Sequence, residues 1–251
     1  MTPRGTYPGG KAGEGVTQAL INQIPPHSTL LVPFAGRCAV TCAIRPAQAT
    51  WLVDADPKVA EWWRSRIASF DDDRSAASTI VKTGDGIRFL AESGVRGSGV
   101  FVFCDPPYLN CTSDQPYAHK LDAAGHGRLL DVLRALSSRG CRIMLCGYPS
   151  DLYARELRGW RTMEVNSPTR AGWRAETVWM NYPVPLELHD YRYLGSDFRE
   201  RERIKRLRQR ARAKLQRRTP QERYAILAEL ELMREEEAAA LAAAMRAGVG
   251  P

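Results

Sequence analysis

The chain has 251 residues, 44% apolar and 25% charged, with a formal net charge of +8. That is the composition of a folded protein of one or two domains, and it excludes wholesale disorder and collagen-like repeats. The longest apolar runs, such as Gly99 to Cys104, fall well short of the roughly 20 residues a membrane-crossing helix needs, and Met1 to Gly10 lacks the apolar core of a signal peptide. The expectation is therefore a cytoplasmic protein with no membrane partner.

In chain order, short apolar runs alternate with segments of helical period. Thr29 to Pro33, Thr50 to Val53, Thr79 to Val81, Gly99 to Cys104 and Cys141 to Cys146 read as buried parallel strands. Pro57 to Phe70 reads as a helix, as does Ala123 to Leu136, where Leu129, Leu130, Leu133 and Leu136 share one face. This alternation predicts an α/β, doubly wound sheet. After Trp160, two runs, Thr162 to Asn166 and Glu176 to Tyr182, flank a Pro168 to Arg174 connection containing Gly172. They predict a terminal antiparallel hairpin.

Tyr182 to Leu194 is rich in proline and aromatic residues, and after it Arg, Glu and Ala take over. The boundary is placed there, giving domains 1–194 and 195–251. Asp197 followed by Glu200 fits a helix start, and Thr219-Pro220-Gln221-Glu222 is a capping box with proline at the first helical position. Ile204, Leu207, Ala211 and Leu215 form one apolar stripe, and Ile226, Leu227, Leu230 and Met233 form another. The pair is expected to close as a basic helical hairpin with its cations outward, and Glu235 to Pro251 to fray.

The charge is concentrated. Arg199 to Arg218 carries eleven Lys and Arg against Glu200 and Glu202, an excess of nine, so the other 231 residues sum to about −1. A block of this kind is the footprint of a protein that meets nucleic-acid phosphates, and the alternative is a solvated helix face. Cys38, Cys42, Cys104, Cys111, Cys141 and Cys146 contain no paired Cys-x-x-Cys, and His27, His119, His126 and His189 complete no ligand set. Reduced thiols and no metal are expected, with His119 and His126 as structural or loop residues.

The strongest chemical signal is Asp105-Pro106-Pro107-Tyr108, directly after the apolar run ending at Cys104. Ligands of open α/β sheets bind at the carboxyl ends of strands, where this tetrapeptide falls. Its two prolines remove backbone donors and stiffen the exit path while leaving carbonyls free to accept. An amine held between the Asp105 carboxylate and the Pro106 carbonyl keeps its lone pair directed at an electrophile, and Tyr108 offers a ring for a planar base. The plain alternative is a strand-to-loop turn. Upstream, Pro33-Phe34-Ala35-Gly36 follows the first strand, Asp54 ends the second and Gly84-Asp85-Gly86 ends the third. A glycine turn lets backbone approach a cofactor, and an acidic side chain ending the next strand suits ribose hydroxyls.

With these four ordered features the sequence resembles the S-adenosylmethionine-dependent adenine-N6 DNA methyltransferases in which the cofactor motif precedes the Asp-Pro-Pro-Tyr motif. Tyr7-Pro8-Gly9-Gly10-Lys11 resembles that family's N-terminal Gly-Gly-Lys motif. Gly147-Tyr148 with Leu152-Tyr153, Trp179-Met180-Asn181-Tyr182, and His189 to Gly195 resemble forms carried by phages and prophages. The resemblance implies a Rossmann-like, methyltransferase-type mixed sheet in a bacterial or phage-infected cell. It implies direct transfer of the sulfonium methyl to N6 of an adenine flipped out of duplex DNA, with no covalent enzyme intermediate and no metal. In that scheme Asp105 and Pro106, followed by Pro107, orient the amine, and Tyr108 stacks on the base. Tyr7, Gly10, Lys11, Phe34, Ala35, Gly36, Asp54 and Asp85 line the S-adenosylmethionine pocket, with Asp54 toward the ribose and Asp85 toward the adenine.

Two departures stand out. The second glycine of the family's Phe-x-Gly-x-Gly loop is Cys38 here, and only 69 positions separate Gly36 from Asp105, leaving no room for an inserted recognition domain. Reading of double-stranded DNA is therefore assigned to the loop Leu109 to Leu121, to Arg170, Trp173 and Arg174 at the hairpin tip, and to Arg199, Arg203, Lys205, Arg206 and Arg210 of the basic helix. The same chemistry on RNA is the alternative substrate, and a nucleic-acid-binding protein of this fold without turnover is the alternative class. Monomer and dimer both stay open.

Overall fold

A computed structural model describes residues 15–68, 78–109, 121–169 and 172–246, and for 167–169, 172–174, 241–242 and 244–246 it describes the backbone alone. The chain divides into two compact units, Met1–Leu194 and Gly195–Pro251.

The first unit holds helices α1 (Val16–Ile21), α2 (Ala39–Ala43), α3 (Pro57–Ala68), α4 (Gly86–Glu92), α5 (Ala123–Ser138) and α6 (Asp151–Glu156). Its strands are β1 (Thr29–Val32), β2 (Ala49–Asp54), β3 (Ser78–Thr83), β4 (Val100–Cys104), β5 (Arg142–Gly147), β6 (Arg161–Thr169) and β7 (Gly172–Met180). They form one sheet in the order β3-β2-β1-β4-β5-β7-β6. The first five strands are parallel, β7 runs antiparallel to β5, and β6 pairs antiparallel with β7. This is the doubly wound α/β sheet with a terminal hairpin that the sequence predicts.

The two-residue period of the strands sorts the core into two layers. Leu30, Val32, Leu52, Phe101, Phe103, Met144, Val178 and Met180 face Leu20, Ile21, Val40, Val59 and Trp63 of α1, α2 and α3. Leu31, Val102, Cys104, Ile143, Leu145 and Trp179 face Leu90, Leu129, Leu130, Leu133, Tyr153 and Leu157 on the α4 to α6 side. Every residue of β4 is buried, which is why it reads as an unbroken apolar run. Each such Leu, Phe or Val stabilises the fold by roughly 1.5–3 kcal/mol through burial.

Two expectations about strands need correction. The run at Thr79 to Val81 is no buried strand, because β3 is the sheet's outer edge and Ile80 is 37% exposed. Pro168 and Gly172, read as connection, belong to the hairpin ladder, where Pro168 pairs with Trp173 and Thr169 with Gly172. Pro168 is tolerated there because β6 is the opposite edge strand, where a missing donor need not break a ladder.

After β7 the chain returns to the carboxyl end of α2. The buried Asp190 carboxylate accepts the Arg45 N–H at 2.9 Å and the Arg192 N–H at 2.9 Å, and takes the Arg192 guanidinium at 2.6 Å. Arg192 also donates to the Ala43 carbonyl at 2.7 Å. Burial alone would raise the Asp190 pKa, but the Arg192 and Arg45 hydrogen bonds bring it below the ordinary carboxyl value.

The second unit contains α7 (Phe198–Gln216) and α8 (Pro220–Arg246). Asp197 caps α7 by accepting the Glu200 N–H at 2.8 Å. At α8 the Thr219 Oγ1 accepts the Glu222 N–H at 3.3 Å while Glu222 accepts the Thr219 N–H at 2.9 Å, a reciprocal capping box. The expected closure of their apolar stripes is not found: Leu207 is 53% and Leu227 51% exposed, and Ile226, Leu230 and Met233 are exposed too. The segment Glu235 to Pro251, expected to fray, is helical as far as Arg246, in keeping with the high helix propensity of its Ala and Glu residues, and 247–251 lie outside the described residues.

Candidate active site

Parallel strands deliver their carboxyl ends to one edge, and between β1 and β4 the winding changes direction, which opens the crevice where such sheets bind ligands. The loop after β1 is pinned there. Ala35 donates to the Val53 carbonyl at 2.9 Å, and Gly36 donates to Asp54 Oδ2 at 2.8 Å. The Trp63 indole donates to the Gly36 carbonyl at 2.7 Å. Gly36 has a φ of 43°, a left-handed conformation that favours glycine. Asp54 Oδ1 also accepts the Asp56 N–H at 2.9 Å, so each carboxylate oxygen holds one backbone donor and keeps a second acceptor position.

Next to it Asp85 caps α4, its Oδ1 accepting from the Ile87 and Arg88 N–H groups at 2.8 and 3.3 Å. Gly86 lies so close to the loop after β1 that a Cβ there would sit 2.0 Å from the Pro33 carbonyl oxygen. Ala35 is buried and Phe34 packs half-buried against the α4 to α6 layer. Cys38, the residue that departs from the glycine loop, points inward. It is buried, its Sγ accepts the Thr41 N–H at 3.5 Å, and burial pushes its thiol pKa up to about 11.

Across the switch point, Asp105-Pro106-Pro107-Tyr108 leaves β4. The half-buried Tyr108 extends past the end of β5, where its ring meets Tyr148 edge to face with centroids 4.6 Å apart. Its hydroxyl lies 3.0 Å from Asp105 Oδ1 and 2.9 Å from Glu176 Oε2 on β7. Burial, then the Asp105 carboxylate, Cys146 and Glu176, push the phenol pKa well up. Beneath the turn, His126 is fully buried in the first turns of α5, and its Nδ1 lies 2.9 Å from the Tyr153 hydroxyl. Burial lowers its pKa against the opposing pull of the Pro107 carbonyl and Asp122, so the ring is a neutral prop at pH 7. Tyr153 in turn packs on Trp179 at 4.9 Å.

Gly36, Asp54, Asp85 and Asp105 to Tyr108 thus share one sheet edge. Tyr7, Gly10, Lys11 and Arg170 lie outside the described residues, as does most of the Leu109 to Leu121 loop, and of Trp173 and Arg174 only the backbone is described. Arg199, Arg203, Lys205, Arg206 and Arg210 are exposed along α7, with Arg203 3.6 Å from Glu200 and Lys205 3.2 Å from Glu202. Among the described residues no cluster of His, Cys, Asp or Glu has metal-site geometry, Cys38, Cys42, Cys104, Cys141 and Cys146 form no disulfide with one another, and no helix is long and apolar enough to cross a membrane. A polar cleft lined by Arg134, Arg155, Glu156 and Trp160 sits at the opposite sheet edge.

Two groups at the carboxyl edge escape a reading by motif, Trp63 and Glu176, while Tyr153, quoted within a motif, and His126, read as a structural or loop residue, are found paired. Glu176 carried a signal, since Glu176, Val178 and Met180 alternate onto one strand face and a carboxylate on an apolar face asks for a partner.

No protein-family model matches the chain, and no curated protein matches it. Solved structures with a similar layout include the Escherichia coli protein yhhF, whose name is that of a methyltransferase, at 17% identity over 71% of this chain and 88% of that one, TM-score 0.46. A SAM-dependent methyltransferase from Agrobacterium tumefaciens is 14% identical over 66% and 60%, TM-score 0.43. An rRNA methylase from Streptococcus thermophilus is 11% identical over 65% and 93%, TM-score 0.42. These likenesses are weak, and the chemistry is read from this chain's own residues.

Proposed function

We propose that the protein is an S-adenosylmethionine-dependent adenine-N6 methyltransferase acting on duplex DNA. The observation that carries this reading is the position of Asp105-Pro106-Pro107-Tyr108 at the carboxyl end of β4, across the switch point from the loop held by Asp54.

The residues at this edge fit the cofactor. Gly36 presents backbone without a side chain, Cys38 is turned into the core, and Asp54 retains acceptor positions suited to ribose hydroxyls. Asp54, Gly36, Phe34, Ala35 and Asp85 are the holding residues, together with Tyr7, Gly10 and Lys11. When bound, S-adenosylmethionine supplies a methyl group already activated by its sulfonium charge, so neither metal nor enzyme nucleophile is required.

The chain's part is orientation. Asp105 and the Pro106 carbonyl accept the two hydrogens of an exocyclic amine, which turns the nitrogen lone pair toward the cofactor side of the crevice. Tyr108 gives the base an aromatic surface, and stacking of this kind offsets part of the few kcal/mol spent in extracting a base from the duplex. The exposed cations of α7 track the phosphate backbone, with Arg170, Trp173 and Arg174 at the hairpin tip as the base-reading candidates.

The test is to incubate the purified protein with S-adenosylmethionine and unmethylated duplex DNA, digest to nucleosides and weigh the products. N6-methyldeoxyadenosine supports the reading. Methylation of an RNA control instead moves the substrate, and no product with either polymer favours a binding protein of the same fold.

A further inference from the structure

Glu176 is 4% exposed, and its placement follows from topology. β7 runs antiparallel to β5, and Thr177 pairs with Gly147, the last residue of β5. Glu176 therefore stands one residue beyond the end of β5, at the same edge where β4 releases Asp105. Tyr108 spans the gap, its hydroxyl 2.9 Å from Glu176 Oε2 and 3.0 Å from Asp105 Oδ1.

A phenol has one hydrogen to donate, and here two carboxyl oxygens compete for it. The winner decides what Asp105 offers. When the hydrogen goes to Asp105, it stabilises that carboxylate and weakens it as an acceptor for anything else. When it goes to Glu176, Asp105 keeps its acceptor strength and the tyrosine ring is tethered from the far side, against Tyr148.

We propose that Glu176 is a positioning residue of the site: it draws the Tyr108 hydroxyl hydrogen away from Asp105, so that Asp105 is left to grip the target amine and the Tyr108 ring is held ready for the base. This role rests on the adenine reading given above. In this role Glu176 touches neither base nor cofactor and acts through Tyr108.

The experiment is a double-mutant cycle on the full chain, measuring kcat for methyl transfer to DNA in the wild type, Glu176→Gln, Tyr108→Phe and the double variant. A second readout that needs no turnover is the ring-carbon resonance of Tyr108 in protein labelled with 13Cζ-tyrosine, assigned by its disappearance in Tyr108→Phe. A charge-assisted hydrogen bond of this kind corresponds to about 10-fold or more. The expected result is therefore a loss of about 10-fold in kcat for Glu176→Gln, with KM for S-adenosylmethionine unchanged. That loss largely disappears in the Tyr108→Phe background, and the Tyr108 resonance shifts in Glu176→Gln. Equal losses in both backgrounds overturn the role, because a merely structural carboxylate would cost the same with or without the phenol. An unmoved resonance overturns it at the level of the hydrogen bond itself. Absence of product from the wild type, with the resonance shift present, counts against the adenine reading and with it the catalytic consequence, while leaving the Glu176–Tyr108 hydrogen bond established.

Discussion

The Asp54 carboxylate accepts the backbone N–H of Gly36 at 2.8 Å, so the residue that ends β2 also sets the path of the loop after β1. Its other oxygen holds the Asp56 N–H. Replacing Asp54 with Ala removes both restraints together with the acceptors proposed for the ribose. The expected loss in S-adenosylmethionine affinity is about 10-fold or more, from hydrogen bonds to a charged group at roughly 1.5–3 kcal/mol each, read by titration calorimetry. An unchanged affinity would remove Asp54 from the pocket.

Gly86 is required by close approach. A Cβ there would meet the Pro33 carbonyl oxygen at 2.0 Å and its carbon at 2.8 Å, and backbone cannot swing aside as a flexible side chain does. Gly86→Ala should lower stability by about 1–3 kcal/mol, seen as a lower urea midpoint. Gly127→Ala is the control, since among the described residues nothing lies within 4 Å of its added Cβ. Inside α5 that change should be neutral or stabilising by about 0.5–1 kcal/mol.

Acid sensitivity follows from His27 and His189, whose rings stack with centroids 3.8 Å apart under the returning segment. Burial, then the neighbouring His189, lower the His27 pKa from 6.5 to about 3, and burial lowers that of His189. Both rings are neutral in the fold, while the unfolded chain takes up protons as the pH drops through about 6.5. Stability from this pair is full above that value and declines as the pH falls, for His27 down to about 3 and by on the order of 3 kcal/mol near pH 4. Thermal unfolding should show Tm dropping between pH 7 and pH 4, with a flatter profile for His27→Gln. An equal slope in that variant would assign the acid sensitivity elsewhere.

The basic face of α7 makes a salt-dependence prediction. Changing Arg199, Arg203, Arg206 and Arg210 to Ala should weaken DNA binding and make the plot of log K against log salt shallower, by about 0.9 for each phosphate that is no longer neutralised. A slope identical to that of the wild type makes α7 a solvated helix.

Much of the molecule is legible in its residues. The alternation of apolar runs with helical segments gives the sheet, because buried parallel strands such as β4 must be apolar on both faces. The Thr219 capping box starts α8 where its side chains say it should. Edges are less legible: Thr79 to Val81 has the composition of an interior strand, yet position in the sheet decides exposure, and a sequence does not state strand order. Tertiary partners are the other gap. Asp54 reads as a ribose ligand, but its hold on Gly36 depends on β1 and β2 lying side by side. Cys38 reads as a departure from a glycine loop, and only the start of α2 turns its side chain inward. The stripes on α7 and α8 promised a closed hairpin, since periodicity shows that a face is apolar and not what covers it.

Asp105 is assigned the amine and the Gly36–Asp54 edge the cofactor, and one paired measurement separates the two roles. S-adenosylmethionine affinity by calorimetry and N6-methyldeoxyadenosine formation by mass spectrometry are compared in wild type and Asp105→Ala. The expected result is cofactor affinity within a few-fold of wild type and product formation reduced by at least about 1000-fold, since the carboxylate acts where the reacting group must be oriented. Product formation by Asp105→Ala at a rate near that of the wild type would overturn this division of roles.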